Sequence, residues 1–246
     1  MVGMNRRAVP AGRPLAYIDA AQTRRASGDK VVRFSILVSV SLFAFACGKD
    51  DGDDTSGAGE DSGSGGEDTG SGPAPLTGAD LVGDWSSEGC EAYDDGNGGQ
   101  NYLTRSFSLT ETRWSLDLTI YGDPDCSFAL FSSAIEGPYT LGEIAAVDGA
   151  TNGDFGFTTN VWTPLVEDLA TVFEDAGCAS GAWEVGVGQD VTETGCIGVA
   201  HPIAECPVEF DIVKVDGNAL YFGARVTDMC VESGRPSALN AYPVLR

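Results

Sequence analysis

Along residues 114–121 (WSLDLTIY) apolar and polar side chains alternate, with Trp114, Leu116, Leu118 and Ile120 on one face and Ser115, Asp117 and Thr119 on the other. That period of two predicts a half-buried strand. Residues 102–109 (YLTRSFSL) alternate less regularly, and the short stretch 110–113 between the two runs predicts a hairpin. Residues 134–141, 155–161, 183–187 and 209–215 read as further strands. Asp216-Gly217-Asn218 then turns the chain into 219–226. Asp-Gly is a favoured two-residue hairpin signal, with Asn218 as a candidate extension of the loop. One segment breaks the pattern. In 163–177, Thr163 suits a helix N-cap, Pro164 the first helical position and Gly177 the C-terminal cap. Leu165, Val166, Leu169, Val172 and Phe173 form its apolar stripe. The fold class expected is mainly β: an antiparallel, strongly curved sheet or incomplete β-barrel with one covering α-helix. Such a sheet either fills its inner face with its own side chains or leaves a lipid-sized cavity.

Ahead of this region the pattern changes twice. Residues 34–46 (FSILVSVSLFAFA) are apolar, uncharged and only 13 long, too short to span a bilayer as a helix. Val31-Val32-Arg33 precede them and Cys47 follows, which is the order of an export signal. The triplet Ala44-Phe45-Ala46 before Cys47 resembles the lipobox of bacterial lipoproteins, departing from it where that motif usually has Leu and this chain has Ala44. The resemblance implies a diacylglycerol thioether on Cys47, cleavage before it and acylation of the new N-terminus. Several acyl chains anchor stably where one does not. Arg24-Arg25 fits a twin-arginine signal poorly, and translation is expected to start near residue 31. Residues 1–46 are thus read as the signal region.

Residues 47–78 form a second compartment. From Gly48 onward it holds eight acidic residues, one lysine and almost no apolar side chain. It cannot offset the entropy of ordering, and its Gly/Ser content and charge make it an extended tether. Its aspartates have neither EF-hand spacing nor a nonapeptide repeat, so a solvated spacer is expected rather than a calcium site. Charge sharpens the division: residues 1–46 carry seven basic and two acidic side chains, and the remainder seven basic and 35 acidic. That acidity argues against a nucleic-acid partner. Residues 79–246 are expected to form a single disulfide-bonded β domain, long enough for a sizeable core.

Seven cysteines are present: Cys47, Cys90, Cys126, Cys178, Cys196, Cys206 and Cys230. With Cys47 set aside for lipid, six remain, an even number in an exported chain. They allow fifteen pairings; local order favours 90–126, 178–196 and 206–230. Metal binding is not expected, because the cysteines are widely spaced and His201 is the only histidine. No cofactor is implied. His201 has no GxSxG elbow beside it, and Gly186-Val187-Gly188 lacks the dinucleotide pattern and its helix. Asp117, Asp123 and Asp125, and separately Glu205, Glu209 and Asp211, are carboxylates without catalytic spacing. The chain is therefore not expected to be an enzyme.

Several separated motifs then occur in order: GDWSSEGCE at residues 83–91, YLTRSFSL, YGDPDC, EGPYTLG, WEVGVGQDVTETGC, AECPVEFDIVKVDGNALYFGARVTDMC and RPSALNAYPVLR. Together they resemble the domain of the adenomatosis polyposis coli down-regulated protein family, over nearly all of residues 81–246. The resemblance implies a β-rich extracellular domain with an apolar pocket. In animals it belongs to membrane-tethered inhibitors of Wnt signalling that receive the lipid of the Wnt ligand. This chain departs from that layout, with one copy of the domain and a lipobox tether in place of a C-terminal membrane helix, so the signalling role does not carry over. By matching motif, the resemblance implies that Cys90 and Cys126 are bridged, that Trp85 packs at the closure of the sheet, and that Arg105 ties the same corner by hydrogen bonds. It places no lipid-contact residue. Three readings follow: a membrane-anchored binding module for a lipid or acylated ligand, a structural or adhesion lipoprotein contacting an envelope protein, and an envelope-polymer hydrolase. Gly48 after Cys47, in place of aspartate, favours the outer membrane or cell surface.

Overall fold

The inner face foreseen for residues 114–121 extends around a ring of strands in the computed structural model, which describes residues 74–94, 100–147, 149–197 and 199–246. In chain order the elements are α1 (Gly78–Leu81), β1 (Gly83–Ser87), β2 (Glu91–Asp94), β3 (Gln100–Leu109), β4 (Arg113–Tyr121), β5 (Ala129–Ile144), β6 (Thr151–Gly156) and β7 (Thr159–Pro164). They continue with α2 (Glu167–Asp175), β8 (Gln189–Asp190), β9 (Val208–Asp216), β10 (Ala219–Phe222), a 3-10 turn (Glu232–Gly234) and β11 (Val244–Leu245). All pairings are antiparallel.

The ring closes. β1, β3, β4, β5, β6, β9, β10 and β11 follow one another in pairing order, and β11 returns to β1. The expectation of an incomplete barrel is therefore corrected to a closed eight-stranded barrel with three additional strands, β2, β7 and β8. The reason is β11, which is only two residues long. It pairs Val244 with Ser87 on one side and with Leu220 on the other, removing two sheet edges at once. The expected single helix is likewise joined by the short α1.

Two strands fork. One edge of β3 carries β1 along Ser106–Leu109 and β2 along Gln100–Leu103, while β4 takes the other edge. β5 likewise carries β7 along Phe131–Glu136 and β6 along Tyr139–Ile144. The run expected as one strand at 155–161 is thus two, split at Phe157-Thr158. At this fork Gly156 crosses Gly137 so closely that a Cβ on Gly137 would lie 1.8 Å from the Gly156 carbonyl oxygen. The Trp114 indole N–H donates to that same oxygen at 3.0 Å.

The helix also differs from expectation. Thr163 and Pro164 pair with Ser132 and Phe131 as the end of β7, and α2 begins at Glu167. The edge of β5 takes up these residues before a helical turn can form, and proline is tolerated where a strand ends. Gly177 does serve the C-terminus. At φ +70° its N–H reaches Glu174 O, and the Cys178 N–H reaches Phe173 O, each at 3.0 Å. Residues 183–187, expected as a strand, form a turn. Trp183 instead buries against Phe173, their rings 5.0 Å apart.

Two cores result. One fills the closed part of the barrel with Trp85, Phe107, Trp114, Phe155, Phe222 and their neighbours. The other lies beneath α2, where Phe173 meets Phe131, Trp162 and Trp183. Disulfides join Cys90 to Cys126, Cys178 to Cys196 and Cys206 to Cys230, over separations of 36, 18 and 24 residues. The second ties the end of α2 to the loop at Cys196. A Cys178→Ala/Cys196→Ala variant should lose about 3 kcal/mol in urea unfolding through the freed entropy of its denatured chain.

Candidate binding face

The register assigns every inward position on the central strands. Arg105, Leu118, Ser133 and Trp162 form one cross-strand row, flanked by Leu103–Ile120–Phe131 on one side and Phe107–Leu116–Ile135 on the other. Between the two cores this face is apolar but incompletely covered. Leu103, Leu116, Leu118, Phe131 and Ile135 all retain partial exposure although they point inward. Leu103 and Leu118 belong to neither core. The outward residues of the same strands are mostly Ser, Thr, Asp and Glu, so the apolar surface is concentrated on the concave side.

A polar group stands at one margin of this face, at the fork of β3. Arg105 and Glu91 are an ion pair with side chains only 10% and 7% exposed. Arg105 Nε and Nη2 each donate to Glu91 Oε1 at 3.1 Å, and Nη2 also donates to Tyr242 O at 2.7 Å. The Ser87 hydroxyl donates to Glu91 and accepts the Arg105 backbone N–H at 2.8 Å. β1, β2, β3 and the approach to β11 therefore meet at one satisfied buried charge pair. A cleft of about 260 Å³ opens over it, lined by Glu88, Gly89, Cys90, Glu91, Tyr242 and Pro243.

A second open cleft, about 340 Å³, holds His201, Glu209, Arg225, Asp228 and Met229. Arg225 pairs with Glu209 there, but its side chain is 59% exposed. Next to it Asp211 is buried on β9, where Oδ1 accepts the N–H groups of Ile212 and Gly223 at 2.7 and 2.9 Å. Burial pushes its carboxyl from 3.8 up to about 6, partly opposed by Arg225 and the two N–H donors. Because the folded value is raised, the stability it allows is complete below pH 3.8 and is lost as pH rises through about 6. The loss should be about 3 kcal/mol. Asp211→Asn keeps the acceptor oxygen and should flatten this part of a stability-against-pH curve measured by urea unfolding between pH 4 and 7.

The other residues singled out from sequence lie as follows. Trp85 is fully buried, its indole N–H donates to Leu81 O at 2.9 Å, and the Arg246 guanidinium lies 4.4 Å from its ring. The Ser127 hydroxyl, followed by the Phe128 and Ser127 N–H groups, donates to Asp123, holding its loop together and its carboxyl below the usual range. Asp117 is exposed on the outer face of β4. His201 is exposed, and among the described residues no group of three or more His, Cys, Asp or Glu side chains is placed to hold a metal ion. Cys47, the signal region and nearly all of the tether lie outside the described residues. Glu91 and Asp211 had no signal in the sequence beyond being acids at inward strand positions.

Against models of protein families, a match covers residues 73–177. That span includes α1, β1 to β7 and α2, both forks, the partly covered apolar face and the Cys90–Cys126 bridge. The strands that complete the barrel and the other two disulfides lie beyond it. Residues 73–177 of this chain are thus similar to the family described as Adenomatosis polyposis coli down-regulated 1.

Proposed function

We propose that the barrel is a non-catalytic binding module for a lipid or other acylated ligand, held at the surface of a bacterial membrane by lipid on Cys47. The observation that carries the binding reading is the concave face of β3, β4 and β5. Its leucines and Ile135 point inward yet remain partly exposed between two filled cores. Inward apolar side chains left uncovered lose burial that a bound hydrocarbon would restore, at roughly 25 cal/mol per Å². The arrangement of an apolar floor with a few fixed polar groups at its margin suits a ligand that is mostly hydrocarbon. The anchor rests on the order of basic residue, apolar run and Cys47, with the outer membrane or cell surface as its destination.

The binding test uses the full chain carrying Cys47→Ser, so that no acyl chain of its own is present. Protein purified without added lipid is extracted with organic solvent and the extract examined by mass spectrometry. A recurrent acyl species near one equivalent is expected. Lipid-free protein from several hosts, with no uptake of a fluorescent fatty acid, would refute the reading. Loss of membrane association in the same variant tests the anchor separately.

A second reading, a structural or adhesion lipoprotein contacting an envelope protein, draws on the solid packing of the closed part of the barrel, where Trp85, Val213, Leu220 and Val244 are fully buried. It predicts one recurrent partner on cross-linking in intact cells and no bound lipid.

A further inference from the structure

We infer that the cleft at the fork of β3 is the lateral portal by which a hydrocarbon chain reaches the inner face, with the Glu91–Arg105 pair as its gate; this rests on the binding reading above. One part of the inner face is filled by the core around Trp85 and Trp114, and another by the core around Phe173 beneath α2. A strand edge exchanges one neighbour for another at the forks of β3 and β5, where the ladder along that edge is interrupted.

The two forks are not alike. At β5 the crossing backbone lies directly on Gly137, and the Trp114 N–H and the Glu136 carbonyl pin it down through Gly156 O and the Thr158 N–H. No passage is left there. At β3 the pairing of β1 ends at Ser106 and that of β2 begins at Leu103, and residues 88–90 connect the two strands. The approach to β11 at Tyr242-Pro243 forms the opposite lip. The cleft of about 260 Å³ fills this gap. Glu91 lines it, and Glu91 is also the direct cross-strand partner of Leu103 on the inner face. Arg105 spans the gap from beneath, from Glu91 to Tyr242 O, and its own cross-strand partner is Leu118. A shift of this one side chain would join the cleft to the two leucines that neither core covers.

Gly89 permits a test that spares the core. It lines the cleft, and a Cβ placed on it would meet nothing within 4 Å. In full-length protein carrying Cys47→Ser, the association of cis-parinaric acid is followed by stopped-flow fluorescence for a Gly89→Ala, Leu and Trp series. The rate should fall with side-chain size, by about tenfold or more at tryptophan, while equilibrium binding changes little. Val199→Trp, in the other cleft, should leave the rate unchanged. A rate that ignores side-chain size at Gly89 overturns the portal while leaving the binding reading intact. Absence of probe binding in the parent protein overturns both.

Discussion

Arg105→Leu should destabilise the domain by about 3–5 kcal/mol, because it strands the Glu91 carboxylate in a site where solvent is nearly excluded. Arg105 is the donor for both Glu91 oxygens and for Tyr242 O. Its removal leaves a buried charge and a carbonyl short of partners, and Ser87 alone cannot replace them. The double variant Arg105→Leu/Glu91→Leu should recover most of the loss, since apolar side chains of similar size often replace a buried pair at little cost. Urea unfolding of the four proteins in the cycle gives the coupling directly. A single-variant loss below about 1 kcal/mol would mean that the pair behaves as an exposed one, screened by water.

Gly137→Ala should be at least as damaging, with an expected loss of about 4 kcal/mol or more. The added methyl would sit 1.8 Å from Gly156 O and 2.7 Å from its carbonyl carbon. Both obstacles are backbone, so no rotamer change relieves them. Moving Gly156 aside would break the Trp114 hydrogen bond and the start of β7 together. Gly89→Ala is the natural comparison. It adds the same methyl in open space and should change stability by no more than about 0.5 kcal/mol. Thermal unfolding of both variants separates a generic glycine effect from the crossing at the fork.

Much of the barrel wall was readable because period-two alternation survives wherever one face is wet. Trp114, Leu116, Leu118 and Ile120 were placed on one side from sequence, and the register keeps them there. The closure was unreadable because β11 is two residues long and owes its pairing to β1 and β10 rather than to any pattern of its own. Residues 155–161 read as one strand because FGFTTNV contains no proline, and the break at Phe157-Thr158 is imposed by the edge of β5. Residues 183–187 have strand-like composition, but Trp183 is claimed by Phe173, a contact that depends on where α2 lands. The same is true of Thr163 and Pro164, sound capping residues captured by a neighbouring strand. For the candidate site, Trp85 and Arg105 were singled out through a motif resemblance. Glu91 lay in that motif unassigned, because nothing local distinguishes an acid that will meet an arginine 14 positions later.

The seal between β1 and β11 has a consequence for when the domain can exist. Ser87 and Val244 lie near opposite limits of the described chain, and their ladder forms only after everything between them has been brought into order. Non-local pairings of this kind make folding slow, with closure entropy spent before the reward arrives. The three disulfides link successive cysteines of the described chain, so each can staple a local loop before the ring closes. If the chain crosses a membrane unfolded, as the proposed export requires, lateness is useful. Under that proposal the ring would be completed only after passage is over.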